Sequence, residues 1–157
     1  MKISAFPFIK SCLITLIMIG MIMMLFTSGC IEKRSSLQVR VLDAFSASPI
    51  SNAHVIIAET GDEFITHEKG FTEEFSVRVY DYEGHLPLSQ NWGELTLIVY
   101  ADGYLDLVLF HLTVYPNKLR NVTLYLFPDD GSTDHAPISI IESPNDEWVK
   151  KLVDECK

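Results

Sequence analysis

The sequence predicts an all-β fold, a seven-stranded Greek-key β-sandwich followed by one short C-terminal helix. Three observations predict it. From Leu37 onward apolar and polar residues alternate in several runs, the period of a half-buried strand. The runs are rich in β-branched and aromatic residues and recur at spacings of roughly 8–12, as in sandwiches and barrels. Up to Pro128 no helical periodicity of useful length interrupts them.

Leu37, Val39 and Val41 alternate with Gln38 and Arg40 and make the first strand. Residues 43–52 are turn material, and Pro49 limits any ladder there. Val55, Ile56 and Ile57 form a second strand. Phe64-Ile65-Thr66 leads into a turn at 67–70 that ends on Gly70. Phe71, Phe75, Val77 and Val79 carry the next strand, with Glu74, Ser76 and Arg78 facing outward. A loop spans 81–94. Leu95, Leu97 and Val99 then alternate with Thr96 and Tyr100, and Asp102-Gly103 marks a turn or bulge. Residues 105–114 read as a long strand, 115–118 as a turn, and Val122, Leu124 and Leu126 as the last strand of the set.

After Pro128 the composition changes. Residues 129–134 are polar, and 138–141 read as a short edge strand. Ser143 is the expected N-cap, with Pro144 in the first helical position. Trp148, Val149, Leu152, Val153 and Cys156 recur at helical spacing on one face. Some 13 residues make a marginal helix in isolation, so this one is expected to dock, on the sandwich or on a partner.

The N-terminal region has a different character. Lys2 and Lys10 precede an uncharged apolar stretch that ends in Thr27, Ser28 and Gly29, the pattern of a secretory signal. The next residue is Cys30. The run Leu25-Phe26-Thr27-Ser28-Gly29-Cys30 resembles the lipobox of prokaryotic lipoproteins, with Thr27 standing where that family usually has Leu. The resemblance implies that Cys30 is acylated and becomes the N-terminus. The alternative is an uncleaved transmembrane helix, since about 20 apolar residues span a bilayer. Either way the remainder is expected outside the cytoplasm, held at the cell membrane.

The whole chain has a formal charge of −9; without Lys2 and Lys10, 10 basic residues face 21 acidic ones, a charge of −11. Such a surface repels phosphates, so nucleic acid is not an expected partner. Cys12 lies in the signal and Cys30 is the lipid site, leaving Cys156 with no intramolecular disulfide partner. The expected organisation is a signal peptide over 1–29, a lipidated tether over 30–36, the sandwich over 37–128, a linker over 129–142 and an amphipathic helix over 143–157.

Several motifs carry a second resemblance. They are Val39-x-Val41-x-Asp43 with Pro49-Ile50-x-Asn52-Ala53-x-Val55, then Thr66-x-Glu68-x-Gly70-Phe71, then Gly93-x-Leu95-x-Leu97-x-Val99-x-Ala101-x-Gly103-Tyr104. Together they resemble the carboxypeptidase regulatory-like domain, a transthyretin-like (prealbumin-like) β-sandwich appended to exported proteins. Leu95 replaces an aromatic of that pattern, and residues 81–90 lengthen a connection that is usually short. The resemblance implies an accessory, non-catalytic module. In it, Gly70 and Gly103 accept positive φ, and Tyr104 places its ring at the core edge and its hydroxyl on a backbone partner.

No nucleophile elbow, phosphate-cradling loop or His-Glu-x-x-His pair occurs. The five histidines show no ligand spacing, so neither a metal nor another cofactor is expected. Asp129, Asp130, Ser132 and Asp134 are close in sequence, but they lack the glycine and distal Glu of a calcium loop. Inserted loops on a rigid sandwich concentrate binding function. Tyr82, His85 and Trp92 are therefore the candidate binding residues, with packing over the end of the sandwich as their alternative role. The expected function is a lipid-anchored module that contacts an envelope protein, peptide or glycan. A solute- or carbohydrate-binding lipoprotein serving a transporter or polysaccharide assembly is the alternative.

Overall fold

The structure is a computed structural model that describes residues 32–79, 90–131 and 136–156. Lys33–Lys157 form one compact unit. Its strands are β1 (Arg34–Asp43), β2 (His54–Ile57), β3 (Glu63–Ile65), β4 (Phe75–Arg78), β5 (Gly93–Tyr100), β6 (Leu107–Val114), β7 (Leu119–Leu126) and β8 (Ile138–Ile141). Among the described residues one helix, α1, covers Asp146–Glu155. The strands form two sheets, ordered β4-β1-β7 and β3-β2-β5-β6-β8. The fold is the expected all-β sandwich with a C-terminal helix, but it has eight strands among the described residues where seven were expected. β8 is the short edge strand expected at 138–141, outside the set of seven, and pairs in parallel with β6; three-residue β3 is too short to show a period.

The alternation read from the sequence is the burial pattern. Leu37, Val39 and Val41 of β1 face Val55, Leu97, Val99 and Leu107 of the larger sheet, all wholly buried. Burying such side chains contributes about 1.5–3 kcal/mol each relative to exposure, which stabilises a sandwich with no disulfide among the described residues. The two open sides of the sandwich are closed differently. At the β3/β4 side Phe64 stacks on Phe75, centroids 3.6 Å apart. At the β7/β8 side the Arg120 guanidinium donates to both carboxylate oxygens of Glu142, each at 3.1 Å.

β1 starts at Arg34, three residues before the alternation becomes visible, so the last three residues of the expected tether are strand. Arg34–Leu37 pair with β4, which the polar side chains of Arg34, Ser35 and Ser36 conceal. β4 is shorter than expected. Phe71 lies outside it and makes an isolated bridge to Arg40, whose guanidinium sits over the Phe71 ring at 4.8 Å.

The helix also begins later than expected. Asn145 is the N-cap: its side-chain oxygen accepts from Glu147 N at 2.8 Å and Trp148 N at 3.4 Å. A side-chain amide that satisfies two otherwise orphaned N–H groups outweighs the Ser143-Pro144 signal. Trp148 and Leu152 are half-buried, whereas Val149, Val153 and Cys156 are exposed. The docked stripe is therefore narrower than the sequence spacing implies.

Two buried threonines and one glycine bind the 49–72 segment to the core. The Thr66 hydroxyl donates to Ile50 O at 2.8 Å and accepts from Ala53 N at 2.9 Å. Thr72 accepts from Val39 N at 3.0 Å, and its own N–H donates to Val39 O at 2.9 Å. Gly70 has φ +75°, and a Cβ there would lie 2.5 Å from Val41 O. Gly103 has a similar φ of +80° but open space around it. Gly70→Ala should therefore destabilise the protein by more than the ~1–3 kcal/mol of left-handed strain alone, and Gly103→Ala by no more than that strain. Urea denaturation of both variants measures the difference; equal losses would show that the close approach at Val41 contributes nothing.

Candidate binding surface

Cys30, Tyr82 and His85 lie outside the described residues. Trp92 is described, and it is not a loop residue offered to solvent: it is 5 % exposed. Its ring meets Trp148 of α1 edge-on at 5.2 Å and Tyr115 at 6.3 Å. Trp92 is thus a packing residue that seats the helix on the sandwich, which is the alternative role weighed for it. Trp148 completes the pair from 56 positions along the chain, a separation no local pattern reveals.

Next to Trp92 the structure assembles polar groups that the sequence kept apart. Glu94 accepts from Trp92 Nε1 at 3.4 Å, and its second oxygen lies 2.7 Å from His111 Nδ1. His111 has φ +59° and sits where the β5–β6 register slips between Leu95 and Leu97. Phe110 and His111 together oppose Thr96, a β-bulge that leaves both exposed. Bulges aim side chains away from a regular ladder and are common beside functional sites.

The outer face of the larger sheet is apolar along one cross-strand row. Ile56, Ile98 and Val108 are register partners across β2, β5 and β6. Phe110 pairs with Ile141 of β8, and Ile141 is 69 % exposed. At the far corner His54 stacks on Tyr100, centroids 4.6 Å apart and interplanar angle 2°. His54 Nδ1 pairs with Glu63, which also accepts from the Tyr100 hydroxyl at 3.4 Å. Burial, then the charge of Glu63, pushes the Tyr100 phenol above its ordinary 10.0.

Each histidine pair is therefore a His–carboxylate contact made through ladder register, which linear spacing does not display. The two pairs lie near opposite ends of β5, about 20 Å apart at ~3.3 Å per residue. Among the described residues no three His, Cys, Asp or Glu side chains gather as a metal site.

At the end of the sandwich away from Trp92, the Tyr104 hydroxyl donates to Asp43 Oδ2 at 3.2 Å, a carboxylate in place of the expected backbone partner. Asp43 Oδ1 accepts from Phe45 N, Ser46 N and the Ser46 hydroxyl. The bonds from Ser46 hold the Asp43 carboxyl below its ordinary 3.8, and burial followed by the bond to Asp43 raises the Tyr104 phenol above 10.0. The lowered acid contributes stability above its unfolded value, lost as pH falls through the folded one. The raised phenol contributes below 10.0, and that is lost as pH rises through its folded value. The contact thus holds across the whole neutral range.

No protein-family model matches the chain, and no curated protein matches it. Among solved structures, the chain is similar to the Bacillus anthracis TIE protein, with a TM-score of 0.44 and 12 % identity over 61 % of this chain and 17 % of that one. It is also similar to a type II cohesin–X-dockerin complex from Acetivibrio cellulolyticus, with a TM-score of 0.43 and 13 % identity over 65 % of each chain. A third is catechol 1,2-dioxygenase from Pseudomonas arvilla C-1, with a TM-score of 0.41 and 10 % identity over 72 % of this chain and 59 % of that one. This chain spans less than two thirds of the length of each of the three.

Burial of Trp92 fixes what its removal does. Trp92→Ala should cost about 3–5 kcal/mol, as for large buried aromatics, and should free α1 from the sandwich. Denaturant unfolding, with the helical signal followed by circular dichroism, reads both effects. A loss near 0.5 kcal/mol, the range of exposed substitutions, would return Trp92 to the surface.

Proposed function

We propose that this chain is a non-catalytic, lipid-anchored interaction module displayed on the extracytoplasmic side of the cell membrane, and that its partner is an envelope protein. The observation that carries the reading is the exposed apolar pair Phe110–Ile141 on the outer sheet face, beside the His111 bulge. Exposed apolar clusters with a polar rim mark interaction sites, and aromatic side chains supply much of the energy of such contacts. The histidine–carboxylate pairs have no Ser or Cys nucleophile within hydrogen-bond reach among the described residues, so they serve better as a polar rim than as a catalytic group.

The anchor is Cys30. With β1 starting at Arg34, four residue steps separate it from Cys30 and reach at most about 14 Å, so the module stands close to the bilayer. The resemblance to carboxypeptidase regulatory-like domains supports an accessory role. Its motif residues Thr66, Gly70 and Tyr104 serve the framework here, which leaves the outer face free for a partner.

Membrane-extracted protein tests both parts. Intact mass should begin at a diacylglyceryl-modified Cys30; a lipid-free chain starting at Met1 would favour the uncleaved span. A photo-crosslinking amino acid placed at position 141 should give a discrete protein adduct that Phe110→Ser removes. The same label at position 74, on the exposed side of the smaller sheet, should give none. Identical labelling from both positions would overturn the proposed face.

A further inference from the structure

A cleft of about 340 Å³ opens between the turn that precedes β2 and the turn that follows β5, and it is remote from the Phe110–Ile141 face. Ser51 and Asn52 line one wall, Asp102 and Tyr104 the other, over a floor that includes Ile50 and Ala101. The two walls are rigidly placed. Asn52 N donates to Thr66 O at 2.9 Å, Tyr104 N donates to Ala101 O at 3.1 Å, and the Tyr104 hydroxyl is held by Asp43. The side chains of Ser51, Asn52 and Asp102 have no partner among the described residues. They present a hydroxyl, an amide and a carboxylate to the cavity.

This set selects a ligand chemistry. An amide and a hydroxyl both donate and accept, while a carboxylate only accepts. A ligand must therefore supply several groups able to do both. No cation lines the cleft, so an anion would meet Asp102 without compensation, and the acidic chain as a whole repels it. Ile50, Ala101 and the edge of Tyr104 add an apolar patch, the usual complement to a few placed polar groups in a ligand site. We propose that the cleft binds a neutral saccharide, the exposed end of a glycan or a free sugar. Its hydroxyls would meet Asn52, Ser51 and Asp102, and its apolar ring face would lie toward Ile50 and Tyr104. This site is independent of the protein-binding face proposed above.

The test uses the full chain in detergent, titrated with glucose, N-acetylglucosamine and maltose, and with glucuronate and glucosamine as charged comparators. Side-chain amide signals of Asn52 report binding by NMR. At least one neutral sugar should shift them saturably. Asn52→Gly, which keeps the φ +57° backbone accessible, and Asp102→Asn should each weaken that sugar about tenfold with unchanged melting temperature. Lost hydrogen bonds to an amide or a charge are of that order. Glu74→Ala should leave binding unchanged. Shifts that never saturate, binding of glucosamine alone, or variants that bind as tightly as the parent would overturn the proposal. A free sugar that binds while a glycan-bearing envelope fraction does not compete would assign the site to solutes.

Discussion

Strand β1 lies between β7 and a changing set of neighbours, and that arrangement holds the two sheets together. On one side, Ser36 to Asp43 pair in parallel with Leu119 to Leu126 of β7. On the other, β4 serves Arg34 to Leu37 and then gives way. Thr72 takes over at Val39, Gly70 O accepts from Val41 N at 2.7 Å, and Ile50 N returns to Val41 O at 3.0 Å. The replacement strand is thus a crossing segment that goes on to build β2 and β3 in the other sheet. At Gly70 the crossing backbone lies so that a Cβ would meet Val41 O at 2.5 Å, and the missing side chain admits this approach. Both carbonyl and amide of Val41 are wholly buried, where an unmade hydrogen bond costs about 1–3 kcal/mol.

The remaining geometry follows from this junction. With residues 49–72 fixed against β1, β2 is delivered beside β5 and the outer face of the larger sheet is set by its register. Ile56, Ile98 and Val108 align, His54 meets Tyr100, and the β5–β6 slip places His111 over Glu94. The same turn carries Ser51 and Asn52 to the cleft wall. Framework and candidate surfaces therefore share one origin: Thr66 and Gly70 serve the framework, while Asn52 and Tyr104 also line the cleft.

What the sequence disclosed depended on whether the responsible signal was local. The alternation of Leu37, Val39 and Val41, of Leu95, Leu97 and Val99, and of Val122, Leu124 and Leu126 is a period-two signal, and these residues face the core. β3 was hidden because three residues have no period. The start of β1 was hidden because Ser35 is buried through a hydrogen bond to Lys118 O and not through hydrophobicity. Ser143-Pro144 was a sound cap signal that a better-placed amide at Asn145 displaced. The surfaces were the least legible part. Trp92 with Trp148, His54 with Glu63 and His111 with Glu94 are partners of tertiary origin, and a lone tryptophan beside a polar loop looks the same whether it faces solvent or a helix.

If β1 and its crossing segment are the junction on which both sheets depend, its amides should open only when the whole domain unfolds. Native-state hydrogen exchange of the full chain, followed residue by residue against denaturant, measures this directly. The Val39, Val41 and Ile50 amides should exchange with the same free energy and the same denaturant slope as Leu97 and Val99 at the centre of β5. Rapid, denaturant-independent exchange at Val41 and Ile50 while β5 stays protected would contradict the account, because the crossing segment would then be a surface strap that opens by itself.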